Sequence, residues 1–273
     1  MKETMNLALL TAGSIAHSPI SRFPGIVKFI GPVKAPTFRE TSRAVNALKG
    51  GTPVRSVQEM NASYLFLLCA PQRDVPRLVR DMLEAIPDWR ARDVALCSDS
   101  LDSRDLEPLA RRGAHTASLT PLEWFDKPHF LLEGHPGAVQ RAKAIVQAAR
   151  GRVIEIDGRA TPLYLASADL TSLMFLPLLE AATVSLRRAG IPLAFARKLV
   201  ERMVSSSVRH YGKSGLKTWR APTTGSARAR IERQVDSLSK HDPGLSDFYE
   251  ETLEASLRLM SAGVETLKKA AGA

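Results

Sequence analysis

Hydrophobic positions in the first part of the chain fall into two alternating patterns. Apolar stretches at Met5–Thr11, Ile26–Ile30 (IVKFI) and Val94–Cys97 predict strands, and the unbroken apolar run Tyr64–Cys69 (YLFLLC) predicts one buried on both faces. Between them lie stretches with apolar residues at helical spacing. Phe38–Leu48 predicts a helix stopped by Gly50-Gly51. Val75–Ala85 predicts an amphipathic helix with Val75, Leu78, Val79, Met82 and Leu83 on one side. Leu106–Arg112 reads as a short helix ended by Gly113, and Ala138–Arg150 as a longer one ended by Gly151. His115–Leu119, Phe130–Glu133 and Arg152–Ile156 add strands, and Val54 marks a further short one. His17–Phe23 is a poor helix, because Pro19 suits only a first turn. Strands alternating with helices predict a largely parallel sheet with right-handed crossovers.

The pattern changes near Asp157-Gly158, and from Thr161 onward no segment reads as a strand. Pro162–Ala189 predicts one long apolar helix with a kink at Pro177. Further helices are expected from Pro192 to His210, over Ala227–Leu238 and over Ser246–Ala270, with a loop at Tyr211–Thr224. The expected architecture is a Rossmann-like α/β domain over residues 1–157 and an all-helical domain over 158–273. The two-sided apolarity of Pro162–Ala189 predicts burial against neighbours, and a homodimer formed through the helical domain.

Candidate chemistry starts at the first strand. MNLALLTAGSIA is a strand, a tight turn of small residues and a helix start, the opening of a dinucleotide-binding fold. Where G-x-G-x-x-G would stand, the chain has Thr11, Ala12, Gly13, Ser14, Ile15 and Ala16, so only the middle glycine is kept. Such a turn either lets backbone N–H groups approach a pyrophosphate or is kept only for packing. An acidic residue would mark NAD at the end of the second strand. This chain has Lys34 there and Arg39 beyond, which favours NADP through the 2′-phosphate.

Composition narrows the reading further. No run of about 18 apolar residues stands out, so no membrane span is expected. Cys69 and Cys97 make no disulfide framework, and a reduced, cytoplasmic setting is expected. They end neighbouring strands and read as two small buried hydrophobes. The six histidines show no metal-ligand spacing, so no metal is expected. The net charge of +10 is concentrated between Arg187 and Arg233. Arg209-His210-Tyr211 and Lys217-Thr218-Trp219-Arg220 interleave cations with aromatics, but no nucleic-acid motif accompanies them and nucleic acid is not the expected partner.

SLTPLEWF at Ser118–Phe125 resembles the S-L-H-P-L-x-x-F signature of a bacterial family with a Rossmann-like domain and a C-terminal helical domain of unknown function. That family is related to ketopantoate reductase, pyrroline-5-carboxylate reductase and deazaflavin-dependent NADP oxidoreductases. Leu67–Pro71 (LLCAP), Cys97–Leu101 (CSDSL) and Tyr164–Leu173 (YLASADLTSL) resemble its other motifs. The resemblance implies an NADP-dependent oxidoreductase with its site between the two domains and an unidentified small-molecule substrate. Thr11–Ala16, Lys34, Arg39, Cys69, Ala70 and Pro71 would lie on the cofactor side. Ser98, Thr120, Asp169 and Ser172 would line the substrate side, with Asp169 the titratable member. Trp124 and Phe125 would wall a substrate pocket or pack in the core. The departures are chemical. Thr120 and Leu165 replace histidines, Leu173 replaces an asparagine, Asp99 replaces a glycine and Gln72 an aspartate. Leucine neither polarises a carbonyl nor moves a proton. The alternative is therefore a non-enzymatic ligand-binding or interaction scaffold that kept the fold and lost the cofactor.

Overall fold

A computed structural model describes residues 7–13, 19–158, 160–219 and 225–271. The chain divides into two compact units, Met1–Ala166 and Ser167–Ala273.

The first unit is built on one eight-stranded sheet of order β3-β2-β1-β4-β5-β6-β7-β8. Its strands are β1 Leu7–Thr11, β2 Ile30–Lys34, β3 Thr52–Pro53, β4 Leu65–Cys69, β5 Asp93–Cys97, β6 His115–Pro121, β7 His129–Gly134 and β8 Arg152–Glu155. Strands β1 to β6 are parallel; β7 reverses against β6, and β8 follows β7. The order steps outward in both directions from β1 and β4, which is the doubly wound arrangement with its crevice at the strand C-termini.

Alternation along β1 shows why both faces are apolar. Leu7 and Leu9 join a core with Ile26, Leu67, Ala142 and Ile145. Ala8 and Leu10 join one with Phe66, Met82, Trp89 and Leu106. Helices α1 Phe38–Leu48 and α4 Pro136–Ala148 supply the first layer; α2 Val75–Ala85 and α3 Glu107–Ala110 supply the second. Trp89, fully buried, meets Phe66 edge-on with centroids 5.2 Å apart. Helix α1 starts where its sequence dictates: the Thr37 hydroxyl accepts from the Glu40 N–H at 3.2 Å, and the Glu40 carboxylate accepts from the Thr37 N–H at 3.0 Å.

Four sequence expectations are corrected. IVKFI is not a strand: Pro24 opens a 3-10 turn over Pro24–Phe29, and β2 begins only at Ile30, where it pairs with Leu7. Pro162–Ala189 is two helices, α5 Thr161–Thr171 and α6 Phe175–Arg188, and the break precedes Pro177, which sits harmlessly in the first turn of α6. By length and composition the stretch Thr161–Arg188 is apolar enough to cross a membrane, contrary to the expectation that no such run exists. Helix α7 Leu193–Ser214 continues past His210, with a 3-10 turn at Gly215–Thr218, so the expected loop begins late; residues 220–224 of it lie outside the described residues.

The second unit continues with α8 Gly225–His241 and α9 Pro243–Ala271. Its described residues from Ser167 onward include only four buried side chains: Thr183, Ala196, Val200 and Ser246.

Candidate nucleotide-binding site

Strands β1, β4 and β5 end level with one another, with Thr11 opposite Cys69 and Cys69 opposite Cys97. The chain leaves this edge at Ala12-Gly13, Ala70-Pro71 and Ser98. A β-carbon built on Gly13 would meet no described atom within 4 Å, so the turn borders open space. Ser14, Ile15 and Ala16, three of the expected cofactor contacts, lie outside the described residues.

Thr11 explains what its substitution for glycine does locally. It is 2% exposed, and its hydroxyl accepts the Gly13 N–H at 3.4 Å while donating to the Gly13 carbonyl at 3.3 Å. The side chain thus folds onto the turn and engages an amide that a glycine in its place would leave free.

Lys34 closes β2, one strand away from the turn. Its ammonium donates to the carbonyls of Ala35 and, at 3.3 Å, of Pro36. Partial burial pushes its pKa down and the Arg77 guanidinium adds to this, against the carboxylates of Asp81 and Glu40. Arg39 lies exposed in the first turn of α1, with no ion pair among the described residues. Glu40, the nearest carboxylate beyond β2, is held by the Thr37 cap.

The cysteines are core residues. Cys69 and Cys97 are both 3% exposed and pack with Leu67, Ala95 and Leu119. The neighbouring Cys69 thiol and burial together push the Cys97 thiol well up, which keeps it protonated and unreactive. Cys69 therefore offers the site its backbone and not its sulfur. Ala70 and Pro71 follow as the strand-end turn.

The expected catalytic residues fall into two separate pairs. Ser98 and Thr120 belong to the sheet unit and are 4% and 3% exposed. The Ser98 hydroxyl accepts from the N–H groups of Ser100 and Leu101, each at 3.2 Å, so it holds the turn after β5. Asp169 and Ser172 belong to the helical unit and are exposed. The Ser172 hydroxyl donates to the Ala168 carbonyl at 2.6 Å, and the Asp169 carboxylate has no hydrogen bond or ion pair among the described residues. Trp124 and Phe125 are not core: they are 67% and 52% exposed on the β6–β7 connection. There Phe125 stacks on His129 with centroids 4.3 Å apart, beside a cavity of about 280 Å³.

Two charged clusters in the sheet unit were not anticipated. Glu133, 2% exposed on β7, accepts from the Ser103 N–H and the Ser103 hydroxyl, both at 2.7 Å. Burial raises its pKa, Ser103 opposes the rise, and the Asp102 carboxylate reinforces it. At the start of β5 the fully buried Asp93 lies 2.9 Å from Arg141 and 3.2 Å from His115, whose ring stacks on His135. A carboxylate inside the apolar run FLLE, and one just before VALC, are the sequence signals for these clusters. No group of three or more His, Cys, Asp or Glu side chains fit to hold a metal occurs among the described residues.

Residues 129–255 match the family described as a domain of unknown function, DUF2520. Sequence comparison with curated proteins finds no match. Among solved structures, protein TM1727 from Thermotoga maritima is 17% identical with a TM-score of 0.68, covering 95% of this chain and 99% of its own. An imine reductase from Myxococcus stipitatus in complex with NADP+ is 15% identical with a TM-score of 0.63, covering 93% and 94%. An imine reductase from Aspergillus terreus, in complex with NADPH4 and dibenz[c,e]azepine, is 15% identical with a TM-score of 0.64, covering 96% and 94%. At these identities the likeness establishes the fold: a Rossmann-like sheet domain followed by helices, shared with oxidoreductases solved with NADP(H).

Proposed function

We propose that this chain is an NADP(H)-dependent oxidoreductase that holds its dinucleotide along the C-terminal edge of β1, β2 and β4. The observation that carries the reading is the open ledge at Gly13 combined with Lys34, rather than a carboxylate, at the end of β2. An unobstructed glycine turn suits a diphosphate, and an ammonium at that strand end suits a 2′-phosphate better than a bare 2′-hydroxyl. Lys34 and Arg39 would meet the 2′-phosphate; the Ala12-Gly13 and Ala70-Pro71 backbones would flank the diphosphate. When bound, the nicotinamide supplies a hydride.

Within the sheet unit the acid–base side is bare. Ser98 is committed to its turn and the Thr120 hydroxyl is a poor proton donor at neutral pH. A substrate that already carries its proton, such as an iminium ion, asks least of such a site, because hydride addition to carbon completes the reduction.

Thermal-shift titration tests this. NADPH at a hundredfold excess over its Kd stabilises the protein by about 2.7 kcal/mol, and NADH by much less. Lys34→Ala is expected to weaken NADPH about tenfold and leave NADH unchanged, the loss of one charge-assisted contact. Absorbance at 340 nm with a cyclic imine then reads turnover. The rival reading, a scaffold without cofactor, draws on the Thr11 hydroxyl that engages the Gly13 N–H. It predicts no shift with either nucleotide.

A further inference from the structure

At the C-terminal edge of the sheet one cation rests on an aromatic ring instead of a carboxylate. The Arg55 guanidinium carbon lies 4.4 Å from the centroid of the Phe38 ring. Phe38 is 40% exposed, Arg55 is exposed beside it, and Arg55 makes no ion pair among the described residues. Both backbones are pinned. Phe38 is the first residue of α1, directly after the Thr37 cap. The Glu59 carboxylate accepts from the N–H groups of Arg55 and Ser56 at 3.0 and 2.9 Å, and from the Ser56 hydroxyl at 3.2 Å. Val54 and Val57 are buried and anchor the segment on either side of Arg55. The carboxylates nearest in sequence, Glu40 and Glu59, thus serve backbone groups.

The pair also stands where a nucleotide would need it. Strands β2 and β3 run parallel with Val33 opposite Pro53, and the Val54 N–H donates to the Val33 carbonyl at 3.0 Å. Arg55 therefore leaves β3 beside Lys34, at the edge that also carries Gly13. Strand β3 is two strands from β1, a spacing of about 10 Å, and the Arg55 side chain reaches from β3 over the start of α1.

We infer that Arg55, backed by Phe38, is the platform on which the adenine of the dinucleotide stacks, an inference that rests on the NADP(H) reading above. A guanidinium is planar and weakly hydrated, so one face can rest on an aromatic ring while the other takes a flat heterocycle. Adenine is uncharged and asks for area rather than a counter-charge. Phe38 holds the guanidinium plane in place beforehand, so little side-chain freedom is lost when the base arrives. Lys34 and Arg39 remain for the 2′-phosphate, and the Gly13 turn for the diphosphate. Arg55 is then the residue that reads the base, in a segment where the sequence shows only an isolated cation.

Isothermal titration of the full chain with adenosine 2′,5′-bisphosphate, which carries the base and the 2′-phosphate without the nicotinamide, tests the platform. Arg55→Ala is expected to weaken this ligand about tenfold, the worth of one stacked base. Arg55→Lys keeps the charge and loses the plane, and is expected to show most of the same loss. Phe38→Leu keeps Arg55 and removes its backing, and is expected to fall between the unaltered chain and Arg55→Ala. Ellipticity at 222 nm should be unchanged in all three; if Arg55→Ala folds poorly, Arg55→Lys and Phe38→Leu carry the test. Full affinity in Arg55→Lys would make Arg55 a phosphate-binding cation and overturn the platform. Full affinity in every variant would leave the stack a device of the fold alone, overturning the platform while the NADP(H) reading stands. If the unaltered chain binds neither the bisphosphate nor NADPH, the NADP(H) reading itself fails and the platform falls with it.

Discussion

Thr11 spends its hydroxyl on the amide that a bound phosphate would use, so the turn and an anion compete for one donor. Thr11→Val keeps the branched shape at this buried position and releases the Gly13 N–H. NADPH affinity is expected to rise about fivefold, the worth of one amide hydrogen bond near 1 kcal/mol, read by isothermal titration. Unchanged affinity would show that the hydroxyl is no competitor. Glu133 carries a different residue-scale consequence. Its pKa in the folded chain lies above its ordinary value of 4.5, chiefly because burial disfavours the carboxylate. The folded state therefore holds the proton to higher pH than the unfolded one. The resulting stability is fully present below the unfolded value and is lost as pH rises through the folded value. Glu133→Gln has no such titration, so urea unfolding from pH 4 to pH 8 should show the variant gaining on the unaltered protein as pH rises from the unfolded to the folded value, and a constant difference above it. A constant difference across that range would mean that Glu133 is not shifted upward.

At the scale of elements, two glycines with left-handed backbone separate strain from collision. Gly134 ends β7 at φ +127°, and a β-carbon there would strike the Thr116 carbonyl and the Ala117 α-carbon of β6. Gly190 follows α6 at φ +88° with nothing described within 4 Å. Gly190→Ala should cost only the conformational term, roughly 1 kcal/mol. Gly134→Ala adds a backbone clash that the β6–β7 pairing cannot relieve, and about 3 kcal/mol or more is expected. Chemical denaturation of both variants checks the ordering. The same local physics explains which elements were legible in the sequence. Helices α1 and α2 match their expected limits because cap and apolar stripe agree: Thr37 and Glu40 fix one start, and Val75, Leu78, Val79 and Met82 bury one face. IVKFI misled because an apolar run does not distinguish a strand from a packed 3-10 turn. Its neighbour GPV was passed over although Pro32 sits in a strand, pairing with Thr52. The reversal of β7 was invisible for a related reason: strand direction is set by the sheet, and the β6–β7 hairpin carries no local signature of it. Among the candidate site residues, the places of Gly13 after β1 and Lys34 at the end of β2 were legible. The Thr11 hydroxyl's inward turn and the Glu133–Ser103 contact, thirty residues apart in sequence, were not.

Across the whole molecule, the two units are stabilised unevenly. The sheet unit packs apolar side chains on both faces of eight strands and buries Trp89 completely. The helical unit leaves Leu170, Leu173, Leu176, Phe195 and Leu259 each at least 60% exposed. If two copies of the helical unit cover these side chains, mass action makes its melting depend on protein concentration. The sheet unit, with its own core, should melt independently of concentration. The two transitions can be read apart. In W124F/W219F the remaining Trp89 reports the sheet unit by fluorescence, while ellipticity at 222 nm includes the helices from α6 to α9. Diluting that protein a hundredfold is expected to lower the helical transition and leave the Trp89 transition in place. NADPH should do the converse, raising the Trp89 transition at any dilution, because its expected contacts at Gly13 and Lys34 both lie in the sheet unit. If dilution moves both transitions together, the units fold as one cooperative body and the helical bundle is not the weak partner.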